Sequence, residues 1–278
     1  MDAFYIILTG ALTAIPCALL GSFLMLRRMA MVGDAISHAV LPGIVLAFFI
    51  SGSRNYVPML IGATILGMFS TFMIEFFHKK ARLQTDAAIG FTFTWLFAIG
   101  VILVSVFAGQ VDLDQDCVLY GEIAYVPLDM WVTTGNLILG PRAVWIMGSV
   151  TAAVLILVIY GYKELQVTAF DPGFSDVAGI RTQTWHYLLM GAVSLTTVAA
   201  FESVGAILVV ALLLVPAATA YLLTQDLKKL LVLACLCGII VSAAGYWLAY
   251  AVNGSVAGAM AAVSGVLFAG AFVIGKNR

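Results

Sequence analysis

Asp34 and His38 stand four residues apart in the segment Gly33-Asp34-Ala35-Ile36-Ser37-His38-Ala39-Val40-Leu41-Pro42-Gly43. On a helix that spacing puts both side chains on one face, one turn apart. A carboxylate oxygen beside an imidazole nitrogen is half of a divalent-metal site. Two donors are too few for a transition metal, so other helices or a second subunit must complete the shell. Nitrogen plus oxygen favours Mn, Fe or Zn over Mg or Ca, and no thiolate stands near to select Cu(I). Imidazole ligates only when neutral, so binding should weaken as it protonates near its reference pKa of about 6.5. A blander reading pairs Asp34 with Arg27 or Arg28 at the edge of its helix and leaves His38 as a packing residue.

The elements that must position this pair are long apolar stretches. Of 278 residues, 63% are apolar and only 10% are charged, and the mean hydropathy is +1.09. A soluble domain carries about 25% charged residues, so a soluble globule and a disordered chain are excluded. The net charge of −1 offers no basic field for phosphate backbones, which excludes a nucleic-acid binder. Apolar stretches fall near 4–26, 29–50, 57–77, 88–108, 143–162, 184–200, 203–223, 229–252 and 255–275. Each approaches the roughly 20 residues that a membrane span needs. Spanning helices satisfy their own backbone hydrogen bonds, and a barrel would instead alternate in short segments. The expected fold is therefore all-α, a polytopic transmembrane bundle of eight or nine spans forming one transmembrane domain over 1–278. The count stays open because only Phe201-Glu202 separates the sixth and seventh stretches, which could form a broken pair. Met1-Asp2-Ala3 lacks the basic start of a cleaved signal, so the first stretch is expected to remain.

Within such a bundle Asp34 is costly, about 2.5–3.5 kcal/mol near mid-membrane on insertion scales. Pro42 removes a backbone donor and Gly43 loosens the helix just beyond the pair. Broken helices near the midplane are where transporters place substrate.

Nine crossings divide the connections into two sets. One holds Arg27, Arg28, Lys79, Lys80, Arg82, Lys163, Arg181, Lys228, Lys229, Lys276 and Arg278, and the other holds Arg54 and Arg142. The positive-inside rule makes the first set cytoplasmic, with the N-terminus outside and the C-terminus inside. The inside connection then includes Phe170-Asp171-Pro172-Gly173-Phe174-Ser175-Asp176-Val177-Ala178-Gly179. Asp171 is a good N-cap, Pro172 suits the first helical position and Gly179 can end the helix. Phe170, Phe174 and Val177 form one apolar stripe. So short a helix needs a partner, either the membrane surface or a cytoplasmic protein.

Other patterns carry less. Asp112-Leu113-Asp114-Gln115-Asp116 starts like a calcium loop, but Cys117 and Ile123 stand where Gly and Glu are needed. The acidic connection 109–142 reads as a solvated loop, or more weakly as a docking surface or cation funnel. Gly270 to Lys276 approximates a phosphate loop without its Ser/Thr and without a following helix, so no nucleotide site is expected on this chain. HExxH and GxSxG are absent. Cys17, Cys117, Cys235 and Cys237 make no CxxC. The last stretch carries Gly254, Gly258 and Ala262 on one face and Ala261, Gly265 and Ala269 on another, spacing that suits close helix packing within or between chains. Glu75, Glu202 and His186 are expected to be structural.

Four segments together resemble the permease of metal-importing ABC transporters, the family that takes up manganese, zinc or iron. They are Gly33 to Gly43, Asp116-Cys117-Val118-Leu119-Tyr120-Gly121-Glu122, Thr168 to Pro172, and Val204 to Ala220 with its run Val215-Pro216-Ala217-Ala218-Thr219-Ala220. The resemblance implies a multi-pass protein of the bacterial inner membrane with no cofactor of its own and no ATPase activity of its own. It implies a second permease protomer, identical or related, two cytoplasmic ATPase subunits and an extracytoplasmic metal-binding receptor. By the same resemblance Asp34 and His38 are the metal-coordinating pair. Residues at about 169–179, with Phe170, Asp171, Pro172, Phe174 and Gly179, are the helix that couples to the ATPase. The implied mechanism is alternating access. The alternatives weighed against it are a stand-alone secondary or proton-coupled carrier, an intramembrane acid–base enzyme and a siderophore or cofactor permease.

Overall fold

The computed structural model describes residues 2–51, 56–107, 123–132 and 138–275. The described residues are almost wholly helical. In chain order they form α1 (Asp2–Leu26), α2 (Val32–Ala39), α3 (Leu41–Ser51), α4 (Tyr56–Lys80), α5 (Thr85–Phe107), a 3-10 turn (Ile123–Leu128) and strands β1 (Met130–Val132) and β2 (Ile138–Pro141). There follow α6 (Arg142–Tyr160), α7 (Tyr162–Phe170), α8 (Pro172–Val177), α9 (Thr182–Val204), α10 (Ala206–Leu223), α11 (Leu227–Val252) and α12 (Val256–Gly275). Among the described residues eight candidate spans are long and apolar enough to cross a membrane, with α2 and α3 together making one. At 23 residues, α9 is about 35 Å long and has the length for a further crossing.

Helix α1 is the central post, apolar on every side and packed against α11, α10, α6 and α9. In lipid, close contact rather than water exclusion holds helices together, and small residues permit it. Gly21 of α1 lies so near α10 that a Cβ there would fall 1.7 Å from the Leu213 carbonyl oxygen. Several buried hydroxyls find acceptors on their own helices: Thr13 donates to the Thr9 carbonyl, Ser22 to Ala18 and Thr92 to Ala88. That is the expected solution where no water competes.

The second stretch is broken beside Pro42 as expected: it forms α2 and α3, divided at Val40, because Pro42 supplies no N–H to the ladder. One expectation is corrected. The break between the sixth and seventh stretches falls at Gly205, with φ +83°, and not at Phe201-Glu202, because glycine adopts that conformation without a Cβ clash. In the last span Gly254 and Gly265 meet nothing within 4 Å and Gly258 meets only Ser255, so among the described residues these glycines approach no other helix of this chain, and of the two expected modes packing between chains stays open. The short antiparallel pairing of β1 and β2, Met130 opposite Pro141, was not foreseen. Gly270 to Gly275, the near match to a phosphate loop, is continuous helix. Asp112, Asp114, Asp116 and Glu122, and the segment 116–122, lie outside the described residues.

Candidate metal site

Helix α2 positions the first pair. It packs against α5, α4 and α9, and its N-terminal end abuts α10, where a Cβ on Gly33 would fall 2.3 Å from Leu213 Cδ2. From Val32 to Val40 every residue is buried except Asp34 and His38, whose side chains are 37% and 36% exposed. The helix therefore opens at its two chemistry-bearing residues and nowhere else. His38 Nε2 stands 3.8 Å from Asp34 Oδ1, too far for a hydrogen bond. Two ligands each about 2.1 Å from a shared ion lie about 3.4 Å apart at a tetrahedral angle, so a small rotamer change closes the pair on a cation.

The imidazole is set by aromatic walls on α5. Its ring centroid lies 5.8 Å from that of Phe93 and 5.7 Å from that of Phe97, the latter edge-on at 84°. Ser37, between the two ligands, turns its hydroxyl back to the Asp34 carbonyl and does not compete for the carboxylate. Among the described residues, His38 is the one titratable partner of Asp34 within 4 Å. Arg27 does not pair with Asp34; it points to Thr168 and His186. No group of three or more His, Cys, Asp or Glu side chains gathers among the described residues, so further donors must come from elsewhere.

A second carboxylate–imidazole pair was missed by sequence reasoning. Glu75 near the end of α4 and His186 on α9 face each other with Oε2 and Nε2 3.9 Å apart, both about one-seventh exposed. They line a cavity of about 910 Å³ with Arg27, Lys79, Thr168 and Phe170. Lys79 holds the other Glu75 oxygen. Arg27 Nη2 donates to Thr168 Oγ1 at 2.7 Å, and Nη1 approaches His186 Nδ1 at 3.4 Å. Arg can only donate, so Nδ1 accepts and the ring proton sits on Nε2, facing Glu75. Burial pulls the Arg27 pKa down to about 10, which still leaves the side chain cationic at neutral pH. The available signal was that Arg27, Glu75 and His186 each lie near the same basic ends of their stretches.

The exposed helix α8 forms as its sequence directs. The Phe174 N–H donates to Asp171 Oδ1 at 2.9 Å, Pro172 opens the helix and Gly179 follows it with φ +79°. Phe170 closes α7 instead of joining α8. Phe170, Phe174 and Val177 are all exposed, and the last is 87% so. Glu202 lies within α9, not in a connection.

These elements define a class: a multi-pass helical membrane protein that carries an ionisable pair inside its spans and a short helix with exposed apolar side chains outside them. The chain belongs to the ABC 3 transport family, whose profile matches residues 3–275. It is 48% identical over 269 residues to the manganese transport system membrane protein MntD of Bacillus subtilis, covering 97% of this chain and 90% of that protein. It is 45% identical to the zinc transport system membrane protein TroD of Treponema pallidum, covering 95% of this chain and 71% of that protein. Its fold matches a chain of the PsaBC structure from Streptococcus pneumoniae in complex with Fab, with a TM-score of 0.77 and 33% identity over 96% of this chain and 90% of that one. The protein is thus an ABC transporter permease of a bacterial membrane.

Proposed function

We propose that this permease imports a divalent transition metal, manganese or zinc before iron, and that Asp34 and His38 are its transient ligands. The observation that carries this reading is that α2 is sealed along its length except at those two side chains, which no Lys or Arg among the described residues neutralises. An anionic oxygen and a neutral nitrogen so placed are compensated by a passing cation. The names of the relatives, which transport manganese or zinc, support the choice of ions.

The remaining ligands come from a second protomer, identical or related, which brings another such pair to the same axis. The basic ends of the helices face the cytoplasm, the N-terminus lies outside and the C-terminus inside. A receptor delivers the ion outside. Two ATPase subunits dock, one on each protomer, against Phe170 at the end of α7 and Phe174 and Val177 on α8, and their closure alternates access to the site. Asp171, Pro172 and Gly179 shape that docking helix.

The test is uptake of Mn²⁺ and Zn²⁺ into vesicles by the permease co-purified with its ATPase, wild type against Asp34→Ala. Loss of uptake in the variant is expected, and equal uptake by both removes the site. Uptake without ATP would favour a secondary carrier.

A further inference from the structure

Resting on the permease reading, we propose that Arg27 is a positioning residue that links the ATPase-docking helix α8 to the metal-holding helix α2. The two helices flanking α8 are α7 and α9, and Arg27 grips both. One guanidinium nitrogen donates to Thr168 on α7, and the other meets His186 on α9. A planar guanidinium can hold two directions at once, which an ammonium cannot.

Helix α8 does not move free of those flanks. Asp171 caps it from the end of α7, since its carboxylate accepts the Phe174 N–H and its carbonyl accepts the Ser175 N–H. The buried Ser175 hydroxyl contacts the Thr182 hydroxyl at the start of α9. A force on Phe174 or Val177 therefore reaches α7 and α9 together.

The other side of the link is equally short. Arg27 lies in the corner between α1 and α2, where Arg28 turns with φ +59°. The Met29 N–H donates to the Leu24 carbonyl at 2.9 Å, and Val32 N–H to Met29 at 3.1 Å, so the corner is closed by its own backbone. Asp34 stands in the first turn of α2, seven residues after Arg27. Among the described residues, the Arg27–Thr168 bond is the one side-chain hydrogen bond joining α7 to this corner. Thr168 is held in place for it, donating its own proton to the Glu164 carbonyl at 2.7 Å.

The experiment uses the whole transporter, permease with ATPase and receptor, in proteoliposomes with Mn²⁺ as the probe and Zn²⁺ alongside. Metal ions moved per ATP hydrolysed are measured for wild type, Arg27→Gln, Thr168→Val, the double variant, and the conservative Arg27→Lys and Thr168→Ser. Mn²⁺ affinity of each complex is measured in detergent. In Arg27→Gln and in Thr168→Val the ratio should fall about tenfold, within the ordinary range of coupling between sites, while affinity stays within about twofold. The double variant should be no worse than either single one, because both remove the same contact. Thr168→Ser should restore the ratio, and Arg27→Lys should recover part of it. Should Arg27→Gln fail to fold, the Thr168→Val and Thr168→Ser pair decides. A wild-type ratio in Thr168→Val, or independent losses that multiply in the double variant, overturns the link. A wild type that moves neither metal with ATP overturns the permease reading and the link with it, whereas transport by wild type at an unchanged ratio in the variants overturns the link alone.

Discussion

Asp34 with His38, and Glu75 with His186, are the same two functional groups at almost the same separation, 3.8 and 3.9 Å. Their surroundings are opposite. The first pair sits between apolar residues and the rings of Phe93 and Phe97, with no Lys or Arg partner among the described residues. The second is flanked by Lys79 on one oxygen and by Arg27 behind the imidazole. Arg27 also fixes the His186 proton on the nitrogen facing Glu75, so that nitrogen has no lone pair for a metal. Ligand type and spacing do not make a cation site by themselves. What makes one is an anionic donor set that the protein leaves uncompensated, and of these two pairs only the α2 pair has it among the described residues.

The widest expected gap between the pairs is in metal affinity. Asp34→Ala should weaken Mn²⁺ and Zn²⁺ binding to the purified complex by about a hundredfold or more, read by calorimetric titration, since it removes the one charged ligand. Phe97→Ala should cost less, about tenfold, because the imidazole keeps its chemistry and loses only the wall that orients it. Glu75→Gln should leave affinity within about twofold while lowering the thermal midpoint, because Lys79 and His186 lose their anionic partner. A hundredfold loss there would abolish the distinction between the two pairs. The smallest effect is expected outside both. Asp171→Ala should remove the cap on Phe174, costing about 1 kcal/mol of local helix stability seen as faster amide exchange in α8, with no change in affinity.

Much of this was readable in the order of residues. The run of apolar stretches required a helical membrane bundle, and Asp34 and His38 on one face followed from a spacing of four. The capped helix after Asp171 followed from Asp-Pro and a later Gly. These are local properties, set by backbone hydrogen bonding and helical period within a few residues. The break at Gly205 was read at Phe201-Glu202 because a charged residue marks a polar position, whereas a positive φ marks the actual turn. Glu75 and His186 looked like separate helix-end residues, because nothing in sequence records that α4 and α9 converge.

Sequence alone thus determined which residues lie in helices, which can ligate and which face of α2 carries them, since each depends on near neighbours. Tertiary structure decided which carboxylate is left without a countercharge. That outcome hangs on where Arg27 points: toward Thr168 and His186, and away from Asp34 seven residues along. A long charged side chain has several partners within reach, and only the packing of α7 and α9 around the corner selects among them.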